Sequence, residues 1–128
     1  MPTITEVNGR DLKKKAITDS KKAHAEQTLL ESYAPPLSFT IDAWPCKAKC
    51  APLMKQIARK KKGGGNITIT IGPSQVSGKL DYYAVDYGLT PGAEGKLIIT
   101  PTTVTVEHPA GTVISTYTNN QDNDSRGV

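Results

Sequence analysis

The sequence predicts an α/β fold: a mixed β-sheet with two core helices in the first half of the chain and a C-terminal β extension. Three observations carry this. Apolar residues recur at helical spacing in only two segments, both before Gly65. Short alternating, β-branched runs recur from residue 3 to residue 117. Gly and Pro clusters separate these segments, and no helix-period segment follows Gly65, so the later strands are joined by turns. The 128 residues make one domain, read as residues 1–118 with a polar, frayed tail over 119–128. No apolar run approaches the length of a membrane span, and no secretory leader pattern opens the chain. Membrane-spanning functions are therefore set aside.

Each element has a local reason. Thr3-Ile4-Thr5-Glu6-Val7 is β-rich, Asn8-Gly9 is a hairpin turn, and residues 13–18 are the return strand. Asp19-Ser20 supplies an N-cap for a first helix over residues 21–33. One stripe of that helix holds Ala23, Gln27, Leu30 and Ala34, with Ala25, Leu29 and Tyr33 beside it. Pro35-Pro36 stops it. Residues 37–41 alternate as a strand and deliver the chain to Asp42-Ala43-Trp44-Pro45-Cys46. Pro52 lacks an N–H, which a first helical turn can spare, so a second helix begins near Ala51. Leu53, Met54, Ile57 and Ala58 form its apolar face, and Gly63-Gly64-Gly65 ends it. Further strands are expected at residues 66–71, 80–87, 97–100, 103–106 and 112–117, with a turn over 72–78.

The residues that carry chemistry are His24, Glu26, Cys46 and Cys50. An imidazole and two thiolates can hold Zn²⁺ and leave a fourth position open. Zinc lowers the pKa of a bound water to near neutrality. A carboxylate that is not a ligand, here Glu26, can then carry a proton as general base and afterwards as general acid. The Cys46–Cys50 stretch precedes the second helix as an irregular turn, and a helix N-terminus favours thiolate over thiol. Were the helix to start at Cys46, the i, i+4 pair would still share one face. Within a regular first helix, His24 and Glu26 lie roughly two hundred degrees apart, so both cannot point squarely at one centre. Competing readings of the cysteines are a disulfide, inert buried thiols, or a different metal site.

Charge divides the chain. Residues 1–62 hold 13 of the 16 Lys and Arg and 6 of the 12 acids, leaving a surplus of positive charge. Residues 63–128 are net acidic. The basic half is the half with the candidate ligands, which points to a polyanionic substrate. Lys21, Lys22, Lys47 and Lys49 flank the ligands and are read as phosphate contacts. Arg59-Lys60-Lys61-Lys62 is read as a solvated helix C-terminus, where cations suit the dipole. Tyr82, Tyr83 and Tyr87 could stack bases, but one strand cannot aim all three at one groove, and the favoured reading packs them on the sheet with their hydroxyls at the rim.

The layout Ala23-His24-Ala25-Glu26, then Trp44-Pro45-Cys46 and Cys50, resembles the zinc-dependent cytidine deaminase superfamily. The spacing here is Cys-x-x-x-Cys, where Cys-x-x-Cys is commonest; a longer gap is known in some branches of the polynucleotide deaminases. The resemblance covers about residues 3–90. It implies a cytidine-deaminase-like mixed sheet of about five strands whose two core helices carry the zinc ligands His24, Cys46 and Cys50, with Glu26 as the catalytic proton shuttle. It also implies that Ala25, Trp44 and Pro45 contribute to the base pocket; the competing reading of Trp44 is a side chain packed under the loop. Members that join their fourth and fifth strands by a turn have an antiparallel pair there, and the turn over 72–78 predicts that form. The nearest resemblance is to bacterial DNA cytosine deaminase toxin domains. That implies a secreted bacterial effector acting in the target cell cytoplasm, with DNA rather than RNA as substrate and a cognate immunity protein as a partner. Two alternatives stay open: a deaminase of free cytidine, nucleotide or RNA, and a non-enzymatic β-rich binding module with structural cysteines. A free nucleoside would not need so basic a half, and metal content separates the binding module.

Overall fold

Alternation places the centre of the sheet. Ile67, Ile69 and Ile71 are buried while Thr68 and Thr70 are only half-buried, and Leu37, Phe39 and Ile41 show the same period of two on the neighbouring strand. These two strands, β4 (Leu37–Ile41) and β5 (Ile67–Ile71), pair in parallel from Leu37 opposite Ile67 to Ile41 opposite Ile71. A parallel pair needs a crossover, and the helix α2 (Cys50–Ala58) provides it. The computed structural model describes residues 2–72, 75, 76, 79, 80 and 82–124.

Around that centre the other elements are β1 (Thr3–Val7), β2 (Arg10–Asp11), β3 (Ile17–Thr18), α1 (Ala25–Ser32), β6 (Gln75–Val76), β7 (Lys79–Leu80), β8 (Gly95–Ile99), β9 (Thr103–Glu107), β10 (Val113–Thr118) and α3 (Gln121–Asp124). The main sheet has eight strands in the order β10-β9-β8-β5-β4-β1-β2, with β3 also paired to β1. Every pairing in it except β4–β5 is antiparallel. The protein is therefore a mixed α/β fold, as expected, with a mostly antiparallel sheet. No helix among the described residues is long and apolar enough to cross a membrane.

Several elements differ from expectation for identifiable reasons. The Asn8-Gly9 turn forms, with both residues at positive φ, but its return strand is only β2. The chain then breaks into a 3-10 turn over Lys13–Lys15 before β3 rejoins β1. The first helix starts at Ala25 rather than residue 21, because the Ala23 carbonyl turns back to Ser20 N–H and Asp19 takes the Ala25 N–H that a helix from residue 21 would give to the Lys21 carbonyl. Ser20 Oγ accepts from the N–H groups of Lys22 and Ala23 at 3.3 and 3.2 Å, and Asp19 Oδ1 accepts from Ala25 N–H at 2.6 Å. Residues 82–87 form a 3-10 helix, not a strand. Ala84 and Tyr87 are buried there, a spacing of three that suits a 3-10 turn and overrides the β-propensity of the tyrosines. The strand antiparallel to β5 is instead β8. Parts of the expected turn over 72–78 lie outside the described residues.

The polar stretch read as a tail is tied down as far as Asp124. Asn119 is buried, and its side-chain amide donates to the carbonyls of Lys55 and Thr100. Arg59 clasps the Asp124 carboxylate with two nitrogens, each at 2.7 Å. Lys55 is wholly buried in α2 and donates from Nζ to Asn123 O at 2.9 Å. Residues 125–128, the end of the expected tail, lie outside the described residues.

Candidate metal centre

Three elements deliver three donor atoms to one place. His24 is the N-cap of α1, with extended backbone angles. Its N–H donates to Gln27 Oε1 at 2.7 Å, and its carbonyl accepts from Thr28 N–H. Cys46 sits in the loop after β4, and Cys50 is the first residue of α2. The turn between the cysteines is closed by Ala51 N–H donating to Cys46 O at 2.9 Å. The irregular turn and the helix start near Ala51 are thus as expected.

His24 Nδ1 lies 3.2 Å from Cys50 Sγ and 3.5 Å from Cys46 Sγ. The three candidate donor groups all fall within 4.8 Å of one another. A tetrahedral ion about 2.3 Å from sulfur and about 2.0 Å from nitrogen sets N and S about 3.5 Å apart. The observed separations match that edge. Both cysteines are free thiols, which removes the disulfide reading. His24, Cys46 and Cys50 therefore form a group that could hold a metal ion.

Glu26 completes the cluster electrostatically. It is buried, 3% exposed, as the second residue of α1. Because His24 is extended rather than helical, the angular conflict expected between His24 and Glu26 does not arise. Burial first, then the charges of Glu26 and Cys46, push the Cys50 thiol far above its usual range. A cation among these groups would offset that accumulation of negative charge.

A cavity of about 260 Å³ opens beside the donors, lined by His24, Cys46, Lys47, Ala48, Lys49, Tyr83 and Asp86. Lys47 and Lys49 are exposed at its rim, and Tyr83 is 43% exposed. Other residues expected at the pocket are placed elsewhere. Ala25 is fully buried and its amide is taken by Asp19. Trp44 is 1% exposed, donates from Nε1 to Ala93 O at 2.8 Å, and lies under the ligand loop. Pro45 is buried, and its carbonyl accepts from Tyr87. None of these three is among the described residues that line the cavity. All three are held by burial and backbone hydrogen bonds. Lys21 and Lys22 are exposed in the bend before His24 and are not among the described residues that line the cavity.

Two residues matter here that sequence reasoning misplaced or missed. Tyr87, expected on a strand with its hydroxyl at a rim, is buried. It stacks on Trp44 with ring centroids 4.9 Å apart and donates to Pro45 O at 2.6 Å, pinning the loop that carries Cys46. Gly95 lies directly under the Trp44 ring: a Cβ there would overlap Glu107 O and come within 3.0 Å of Trp44 Cζ2. Neither role has a local signature, since both depend on strands distant in the chain. Comparison with protein-family models, with curated proteins and with solved structures finds no match to this chain.

Proposed function

We propose that this chain is a zinc-dependent hydrolase that converts cytosine to uracil in a polynucleotide, DNA rather than RNA, on a cytidine-deaminase-like fold. The observation that carries this is the convergence of His24, Cys46 and Cys50 beside the buried Glu26, at the edge of a cavity with a basic rim. The β5–β8 pair is antiparallel, as in the antiparallel branch of that superfamily, although a 3-10 helix rather than a single turn lies between the two strands.

The donor set fits zinc: one imidazole nitrogen and two sulfurs, at tetrahedral spacing, with space beside them for a water and a base. Zinc bound there supplies a Lewis acid that brings water to a usable pKa. The remaining work falls to side chains. Glu26 accepts a proton from the attacking water and passes it to the ring nitrogen, then takes the proton of the new C4 hydroxyl and passes it to the departing amine. Water adds at C4, the C4–N bond breaks, and ammonia leaves, so cytosine plus water gives uracil plus ammonia. Lys47 and Lys49 hold the flanking phosphates, and the exposed ring of Tyr83 offers a stacking face at the cavity. A free nucleoside would leave most of this basic surface unused.

Glu26→Gln tests the reading. Glutamine preserves shape but cannot accept the proton, so uracil formation in a cytosine-containing oligonucleotide should fall by about 10²–10⁴-fold or more. Zinc content should stay near one per chain. His24→Ala should lose zinc and activity together. A Gln variant with near-full activity would make Glu26 a structural carboxylate and defeat the mechanism. Deep sequencing of DNA and RNA exposed to the protein reads the base, strand and context.

A further inference from the structure

The candidate metal centre lies at the N-terminus of α1, and a second cavity, of about 350 Å³, lies at the other end of that helix. Val7, Asn8, Arg10, Leu12 and Tyr33 line it. Tyr33 is the C-cap of α1 and is 39% exposed. Arg10 pairs directly with Val7, so the two share one face of the sheet. Glu6 and Asp11, the next pair along, belong to the opposite face. No acidic side chain lines the cavity among the described residues.

Lys13, Lys14 and Lys15 follow at once, all exposed. Among the described residues, neither Arg10 nor any of these lysines forms an ion pair. The backbone that presents them is fixed on both sides. Asn8 N–H donates to Ser38 O at 2.7 Å, and Asn8 Oδ1 accepts from Ser38 N–H at 2.9 Å. Leu12 N–H donates to Thr5 O and Lys15 N–H to Leu12 O, both at 2.9 Å. Asp11 Oδ1 accepts from Lys13 N–H at 2.7 Å, so the nearest carboxylate serves the backbone rather than a lysine ammonium.

We propose that this cavity is a second nucleic-acid site, in which Tyr33 stacks on one unpaired base of a polynucleotide while Arg10 and the Lys13–Lys15 turn hold the phosphates beside it. Cations without counter-charges suit a polyanion. An exposed aromatic ring beside them suits a base, which offers a π-face whatever its identity. An acidic peptide would use the cations and leave the Tyr33 ring and the apolar wall of Val7 and Leu12 without a purpose. Lysines that only protect a sheet edge need no cavity. Because α1 has 8 residues, it is about 12 Å long. A strand that runs from the metal centre to Tyr33 therefore covers about four nucleotides at ~3.4 Å each. The inference rests on the polynucleotide part of the proposed function and not on its zinc chemistry.

Fluorescence anisotropy of a labelled single-stranded thymidine oligonucleotide of about twelve nucleotides tests it, since no cytosine is present to react. The proteins are wild type, Tyr33→Leu, Tyr33→Phe, Arg10→Gln, and a chain with Lys13, Lys14 and Lys15 all changed to Gln. Circular dichroism confirms that each is folded. Tyr33→Leu should weaken binding by about tenfold, and Tyr33→Phe, which keeps the ring, should bind as wild type does. Arg10→Gln and the lysine variant should each lower the slope of log K against log salt, by about 0.7 for each phosphate no longer neutralised. Folded Tyr33→Leu and Arg10→Gln proteins that bind as tightly as wild type overturn the proposal, even where the protein forms uracil from cytosine. A wild type that binds with these dependences but forms no uracil upholds the site and defeats the chemistry instead. Binding of polyglutamate that depends on Arg10 but not on Tyr33, with no affinity for the oligonucleotide, also overturns the proposal.

Discussion

Trp44→Phe separates packing from substrate contact. Trp44 is 1% exposed, bonded through Nε1 to Ala93 O at 2.8 Å, and stacked on Tyr87 with centroids 4.9 Å apart. Phenylalanine keeps a ring against Tyr87 but removes the indole donor. The Ala93 carbonyl is then buried with one bond fewer, at a cost of about 1–3 kcal/mol. The smaller ring leaves a gap beneath the loop worth about 1 kcal/mol more. The sum is ~2–4 kcal/mol, and for a chain of this size that lowers Tm by roughly 10 °C. Thermal unfolding followed by circular dichroism reads the shift. Zinc content and uracil formation, measured well below the new Tm, should be close to wild type. A Tm change under about 2 °C together with lost activity would refute the reasoning, because it would put Trp44 against the base rather than under the loop.

Gly95→Ala should destabilise by at least the ~1–3 kcal/mol of an overpacked core, because the new methyl meets the Glu107 carbonyl and the Trp44 ring; the urea midpoint checks it. Replacing Lys21, Lys22, Lys47 and Lys49 with Ala should weaken oligonucleotide binding and lower the slope of log K against log salt by about 0.7–0.9 for each phosphate that is no longer neutralised. An unchanged slope would assign these lysines to a solvated surface. Asp124→Asn should change the acid limb of stability. The Arg59 hydrogen bonds hold the Asp124 carboxyl below its usual range, so its contribution is complete above about pH 4 and is lost as pH falls through the lower, folded value. The variant should be less stable at neutral pH and show a shallower loss across that acidic window in denaturant titrations.

What could be read in the sequence was set by residue chemistry. His24, Cys46 and Cys50 stand out because few side chains ligate metal, and the structure brings all three together. The strands from β4 onwards were legible where period-two alternation is uninterrupted, as in residues 67–71. The helix start was not, because Asp19 and Ser20 compete for amides that a propensity argument assigns to the helix. Residues 82–87 have the composition of a strand, and only the burial of Ala84 and Tyr87 under distant elements makes them helical. The reading of Ala25, Trp44 and Pro45 rests on adjacency to a ligand, which says nothing about which face of the loop is inside; all three are buried and off the cavity lining.

The docked segment Asn119–Asp124 also bears on where the chain tolerates truncation. By composition, a cut after Thr118 would remove only polar residues. In three dimensions it would take away the Asn119 amide from between α2 and β8, the carboxylate held by Arg59, and the carbonyl that receives the Lys55 ammonium. Lys55, which burial already biases towards its neutral form, would be left without that acceptor on the helix whose first residue is Cys50. A shortened chain would keep every strand of the main sheet and still disturb the rod on which one candidate metal ligand stands.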